Sequence, residues 1–222
     1  MSRAPGWSVV IPLKPLDQAK SRLRLPVPLR RELTIAMARD VLDAVLTCDE
    51  VRHVLVLTRD RRWLAHLDPP GCDFLADDPA DSLNDALRRG ASACLAKRPG
   101  ACVAALTGDV PALRPGELQR ALDCARTWET SFVPDASGKG TTLFAARAGV
   151  PFAPHYGCNS RARHVLEGAH EILLPRLGGL RQDVDTPADI ERARALGLGA
   201  HTTALLEEVT GDLQLPITQT LP

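Results

Sequence analysis

Short apolar runs alternate with helix-length amphipathic segments along most of the chain, and this alternation constrains the fold more than any other feature. The runs at 7–11, 51–58, 72–75 and 101–106 are too short for core helices and are bounded by turn residues, so they read as buried strands. Between them, residues 29–48 place Leu29, Leu33, Ala36, Met37, Val41, Ala44 and Val45 on one helical face. A second face carries Leu83, Ala86, Leu87, Ala91, Cys94 and Leu95, capped by Ser82 or Asp81 after an acidic turn at 76–79. Residues 63–67 supply a helical turn or two, and further helices are predicted at 115–128, 161–171 and 188–198. The segments 131–134, 141–145 and 172–174 complete the strands.

This pattern predicts an α/β chain whose mostly parallel central sheet carries helices on both faces. With 222 residues, no internal repeat and no low-complexity linker, it predicts a single domain over 1–222, with its core at about 7–198. A tail at about 199–222 is expected to add a helical turn at 202–208 before a loose end.

Charge removes some functions from consideration. The 27 basic and 27 acidic residues cancel, which argues against broad electrostatic attachment to nucleic acid or an anionic membrane. No run of about 18 apolar residues occurs and no signal-peptide pattern precedes the first strand, so a cytoplasmic protein is expected. The six cysteines contain no CxxC spacing and read as reduced thiols.

In an open parallel sheet, ligands bind beyond the carboxyl ends of the strands, so the polar loops there matter together. The loop over 12–28 holds Lys14, Lys20, Ser21 and Arg22, a set that fits either a triphosphate or an ordinary basic surface loop. Gly108 and Asp109 end an apolar strand, where the carboxylate fits Mg²⁺ as well as a turn. In 183–187, Asp183 and Asp185 project to one side if the chain is extended, while Thr186, Pro187 and Asp189 suit a helix start. The turn Gly138-Lys139-Gly140-Thr141-Thr142 and the loop 155–160 offer donors for an anion, yet each also reads as an ordinary hairpin or cap. There is no GxGxxG motif, Asp17 forms no nucleophilic triad with a local Ser and His, and His155, His164 and His170 lack a compact metal-ligand spacing. Phosphate and metal chemistry therefore fit better than a dehydrogenase or a hydrolase.

A set of stretches in fixed order narrows this further. They are Val9-Val10-Ile11-Pro12-Leu13-Lys14, Ala19-Lys20-Ser21-Arg22-Leu23, Ser82-Leu83-Asn84-Asp85-Ala86-Leu87 and Thr107-Gly108-Asp109-Val110-Pro111. Gly138-Lys139-Gly140-Thr141-Thr142-Leu143, Tyr156-Gly157-Cys158-Asn159-Ser160 and Asp183-Val184-Asp185-Thr186-Pro187 follow. Together they resemble the family of 2-phospho-L-lactate and phosphoenolpyruvate guanylyltransferases of coenzyme F420 biosynthesis. The sequence departs from the family at Ser82, where Gly-Leu-Asn is common.

The resemblance implies a nucleotidyltransferase fold of glycosyltransferase-A type, with GTP and Mg²⁺ as ligands. It implies metal contacts at Asp109, Asp183 and Asp185, and acceptor contacts at Thr142, Gly157 and Ser160. Lys14, Ser21, Asn84 and Gly108 would bind nucleotide, while Lys20, Arg22, Asp109 and Asp185 would serve catalysis. The implied partners are GTP and a small phosphorylated carboxylic acid, with phosphoenolpyruvate favoured by likeness to the actinobacterial branch. The sequence also leaves room for 2-phospho-L-lactate or 3-phosphoglycerate as acceptor, for another small-molecule nucleotidyltransferase, for a non-catalytic nucleotide-binding module, and for a homodimer.

Overall fold

A computed structural model describes residues 6–67, 71–76 and 82–212. Residues 77–79 of the predicted acidic turn, Asp81 as an alternative cap and the end of the tail lie outside these residues. Strands β1 (Trp7–Pro12), β2 (Val51–Thr58), β3 (Cys72–Ala76), β4 (Cys102–Leu106), β5 (Thr130–Pro134), β6 (Thr141–Ala146) and β7 (His170–Glu171) form one sheet. Its spatial order is β3-β2-β1-β4-β6-β5-β7. All neighbours run parallel except β6, which is antiparallel to both β4 and β5. The exception follows from connection length, because the tight turn after β5 permits a hairpin and leaves no room for a crossover.

The helices are α1 (Val27–Leu46), α2 (Arg62–His66), α3 (Leu83–Lys97), α4 (Pro115–Ala125), α5 (Ser160–Leu166), α6 (Gly178–Arg181), α7 (Pro187–Leu196) and α8 (Ala200–Asp212). Alternating side chains of β1 supply opposite faces of the sheet. Val9 and Ile11 pack with Val41 and Val45 of α1 and Leu118 and Leu122 of α4, whereas Val10 packs with Leu87 and Ala91 of α3. Helices thus cover both faces of a mostly parallel sheet, as the alternation predicted. No helix of the described residues is long and apolar enough to cross a membrane.

Several boundaries differ from the sequence reading. Helix α1 begins two residues early, with a proline in its first turn, where the missing N–H would have no helical partner anyway. Helix α4 stops at Ala125, short of Trp128. Helix α5 ends at Leu166, and Gly168 (φ 80°) carries the chain into the short strand β7 at 170–171 in place of the strand expected at 172–174. Helix α7 starts at Pro187 and ends at Leu196, capped by Gly197 (φ 90°).

The largest correction concerns the tail, where 200–212 forms α8, packed against α1. Asp40 on α1 is buried, and its two carboxylate oxygens accept the His201 and Thr202 backbone N–H groups at 2.9 Å each. A side chain 161 and 162 residues upstream of these donors thereby caps the α8 N-terminus. Asp40→Ala is expected to cost about 2 kcal/mol by orphaning these donors. The thermal midpoint should fall by roughly 4–8 °C. An unchanged midpoint would remove the cap from the account of α8.

Candidate active site

Strand β1 lies between β2 and β4, so the chain leaves it toward opposite sides of the sheet, and a crevice opens beyond its carboxyl end. The loop after β1 is irregular but firmly held. Leu16, Ala19 and Leu23 are buried beneath it, and the indole N–H of Trp63 donates to the Lys14 carbonyl at 3.0 Å. Asp60 accepts the Leu16 N–H at 3.0 Å, while Arg62 joins Asp60 (2.7 Å) to Asp17 (2.8 Å). Asp17, which the sequence offers as no part of a triad, serves in this loop anchor. The Arg62 hydrogen bond, working against burial, holds the Asp60 carboxyl down at about 2.

Within this loop Lys20 takes the left-handed conformation (φ 56°) just before the 3-10 turn Ser21–Leu23. Its ammonium meets Asp109 after β4, and Asp185 Oδ1 at 2.9 Å. Burial alone would depress the lysine, but the charges of Asp109 and Asp185 outweigh it and raise its pKa, so the group stays cationic. Burial likewise acts to raise Asp109, and the Lys20 charge reverses this to hold its carboxyl below the ordinary value. Arg22 is exposed, with Nη1 3.7 Å from Asp185 Oδ2.

Packing explains how three distant loops meet. Leu23, Ala112 and Val184 share one apolar cluster with Leu33 and Met37 of α1 and Ala193 of α7. Each lies within three residues of Lys20, Asp109 or the acidic pair 183/185. The Val184 N–H donates to the Asp109 carbonyl at 3.0 Å, which stitches the two acidic loops together. Thr186 and Asp189, expected at a helix start, form a capping box at the beginning of α7. At Gly108 a Cβ would stand 2.4 Å from Leu13 Cδ2, so glycine permits the close approach of the loops after β1 and β4.

The crevice, of about 220 Å³, is lined by Lys14, Lys20, Thr107, Gly108, Asp109 and Asp185 among others. Asp109 Oδ1 is buried there without a hydrogen-bond partner. Asp183 is pushed up to about 7, first by burial and then by the charges of Asp109, Asp135 and Asp185. A partnerless buried carboxylate oxygen and crowded acids are what a bound cation would relieve, so the residues fit a divalent metal. Among the described residues, no three His, Cys, Asp or Glu side chains form a complete ligand set. Asp109, Asp183 and Asp185 therefore do not make the ready-made cage that a simple reading of three metal ligands suggests. Mg²⁺ bound beside a triphosphate needs only one or two carboxylates, because phosphates and water complete its shell.

The remaining sequence candidates fall outside this crevice. Ser21 is exposed on the 3-10 turn. Asn84, in the first turn of α3, uses its amide on the backbone of Tyr156, donating to the carbonyl at 3.0 Å and accepting the N–H at 2.8 Å. Thr142 is buried in β6, and its carbonyl accepts the Thr107 N–H at 2.9 Å, linking β6 to the crevice. Ser160 is buried at the start of α5, with Oγ 3.1 Å from Thr141 Oγ1, and Gly157 is exposed at φ 124°.

His164, set aside in the sequence for want of metal-ligand spacing, is fully buried and hydrogen-bonded at both ring nitrogens, to Thr141 and to the His155 N–H. Its partners are 23 and 9 residues away, so local spacing carried no signal for it.

Residues 26–177 match the model of the MobA-like NTP transferase domain. The phosphoenolpyruvate guanylyltransferase of Thermomonospora curvata is 48% identical over 90% of this chain and 88% of its own length. That of Streptosporangium roseum is 43% identical over 97% of both chains. The fold matches a Mycobacterium tuberculosis H37Rv protein, Rv0371c, solved in complex with manganese, at a TM-score of 0.55 and 19% identity over 86% of this chain and 98% of that one. Sequence likeness over nearly the whole length, on a nucleotidyltransferase sheet with a cation-seeking crevice, places this chain in the phosphoenolpyruvate guanylyltransferase family.

Proposed function

We propose that this chain transfers GMP from GTP to the phosphate of phosphoenolpyruvate, giving enolpyruvyl-diphospho-5'-guanosine and pyrophosphate in the cytoplasmic synthesis of coenzyme F420. The observation that carries the reading is the Lys20 ammonium bridging Asp109 and Asp185 in the switch-point crevice, in a chain so closely related to phosphoenolpyruvate guanylyltransferases. The acceptor phosphate is anionic near neutral pH, so its oxygen attacks the α-phosphorus of GTP without a dedicated base. One P–O bond forms, the bond to the β-phosphate oxygen breaks, and pyrophosphate leaves with the electron pair. Asp109 and Asp185, with Asp183 behind them, would hold Mg²⁺, which supplies charge neutralisation when bound.

Lys20 and Arg22 face the triphosphate and stabilise the departing charge, with Lys14 and Gly108 along its path and Ser21 on the adjoining 3-10 turn. Lys20 is unsuited to act as a nucleophile, because its neighbours keep it protonated. Thr142, Gly157 and Ser160 contribute donors to the acceptor's phosphate and carboxylate.

The test incubates purified protein with GTP, Mg²⁺ and, separately, phosphoenolpyruvate, 2-phospho-L-lactate or 3-phosphoglycerate. Nucleotide products are identified by mass and kcat/KM values compared. Phosphoenolpyruvate should be the preferred acceptor, and Ser160→Ala should weaken acceptor use more than GTP binding. A kinetic preference for 2-phospho-L-lactate would overturn the acceptor while leaving guanylyl transfer in place. A failure of every acceptor to support pyrophosphate release would overturn both.

A further inference from the structure

Loop 155–160 is held at its beginning and its end by side chains from elsewhere in the fold. Its first residue, His155, donates its N–H to His164 Nε2 at 2.9 Å. At the second, Tyr156, Asn84 engages both the N–H and the carbonyl, and the phenol donates to the Ala105 carbonyl of β4 at 2.9 Å. The last residue, Ser160, lies 3.1 Å from Thr141 Oγ1, which is 3.0 Å from His164 Nδ1.

One imidazole therefore touches the start of the loop directly and its end through a single hydroxyl. Because Nε2 accepts a backbone N–H, the neutral ring carries its proton on Nδ1 and donates it to Thr141. The surroundings enforce the neutral form, since burial among Phe132, Phe144 and Tyr156 lowers the His164 pKa to about 4. Between the anchors, Gly157 (φ 124°) and Asn159 (φ 54°) turn the exposed loop apex.

We infer that Asn84 and His164 are positioning residues for the acceptor, clamping loop 155–160 so that Gly157 and Ser160 are fixed before the acceptor arrives. The inference rests on the assignment of those two residues to acceptor binding. It gives Asn84 a task that differs from nucleotide contact, because its amide is spent on the loop backbone. Asn84 sits next to Leu83, which lines the nucleotide crevice, so the clamp ties the acceptor loop to the crevice rim. Pre-ordering the loop removes an entropic cost from acceptor binding.

The test compares Asn84→Ala, Asn84→Asp and His164→Leu with the wild type by three measurements. These are GTP titration without acceptor, acceptor KM at saturating GTP, and hydrogen exchange of the loop amides without any substrate. Asn84→Ala should raise acceptor KM about tenfold and speed loop exchange by a similar factor, with GTP affinity within about twofold of wild type. Asn84→Asp keeps an acceptor for the Tyr156 N–H and loses the donor, so it should fall between the two.

His164→Leu should loosen the same amides. If it fails to fold, the two Asn84 variants decide the matter. Loop exchange is read without turnover, so a wild type inactive toward every acceptor would defeat the proposed reaction while the clamp is still decided. Weakened GTP binding in Asn84→Ala, with loop exchange and acceptor KM unchanged, would overturn the inference and return Asn84 to the nucleotide.

Discussion

Asp109→Asn and Asp185→Asn should each keep the fold and lose roughly a hundred- to a thousandfold in pyrophosphate release at saturating Mg²⁺. An amide is a poor ligand for a hard divalent cation, and neither substitution changes the apolar cluster that brings the loops together. Asp109 has the stronger structural case, because one of its oxygens meets Lys20 while the other is buried without a partner. Asp183→Asn should be milder. Unlike Asp109 and Asp185, Asp183 does not line the crevice, so a cation held there depends on it less. Circular dichroism controls for folding. Near-native rates for both Asp109→Asn and Asp185→Asn would remove the metal assignment.

The second large effect is expected at Lys20. Lys20→Met preserves much of the stem and deletes the one buried ammonium in the crevice, so pyrophosphate release should slow by about a hundredfold or more and KM for GTP should rise. Arg22, exposed and farther from Asp185, cannot take over that position. Steady-state kinetics across GTP and Mg²⁺ concentrations check this. Unchanged kinetics would reduce Lys20 to a structural cross-link between the loops after β1 and β4.

The strands and the loops beyond them were legible because each depends on local pattern. The apolar run 101–106 leading into Thr107-Gly108-Asp109 marks a strand end, and Thr186-Pro187 with Asp189 marks a helix start wherever it is met. Features made by distant pairs left no such mark. Asp40 looks like an ordinary residue of an amphipathic helix until α8 returns to it, so the sequence predicts only a turn at 202–208 where a full helix forms.

Nothing in the local pattern links Leu23, Ala112 and Val184 to one another, yet their shared burial is what draws Lys20, Asp109 and Asp185 together. Asn84 was visible as a polar residue at a helix start, but its use on the Tyr156 backbone follows only from a contact 72 residues away. Helix α5 ends before the predicted boundary because Gly168, with its positive φ, stops it while apolar residues continue beyond.

The proposed transfer is a single direct displacement at the α-phosphorus of GTP by the acceptor's phosphate, with no guanylylated enzyme on the way. The stereochemistry of that phosphorus tests it most directly. One diastereomer of GTP carrying sulfur at the α-phosphate is incubated with phosphoenolpyruvate and Mg²⁺, and the configuration of the thio-product is read by ³¹P NMR. A single in-line displacement predicts inversion. Retention would require two displacements, and with them a covalent guanylyl-enzyme that the protonated Lys20 and the rest of this account do not provide.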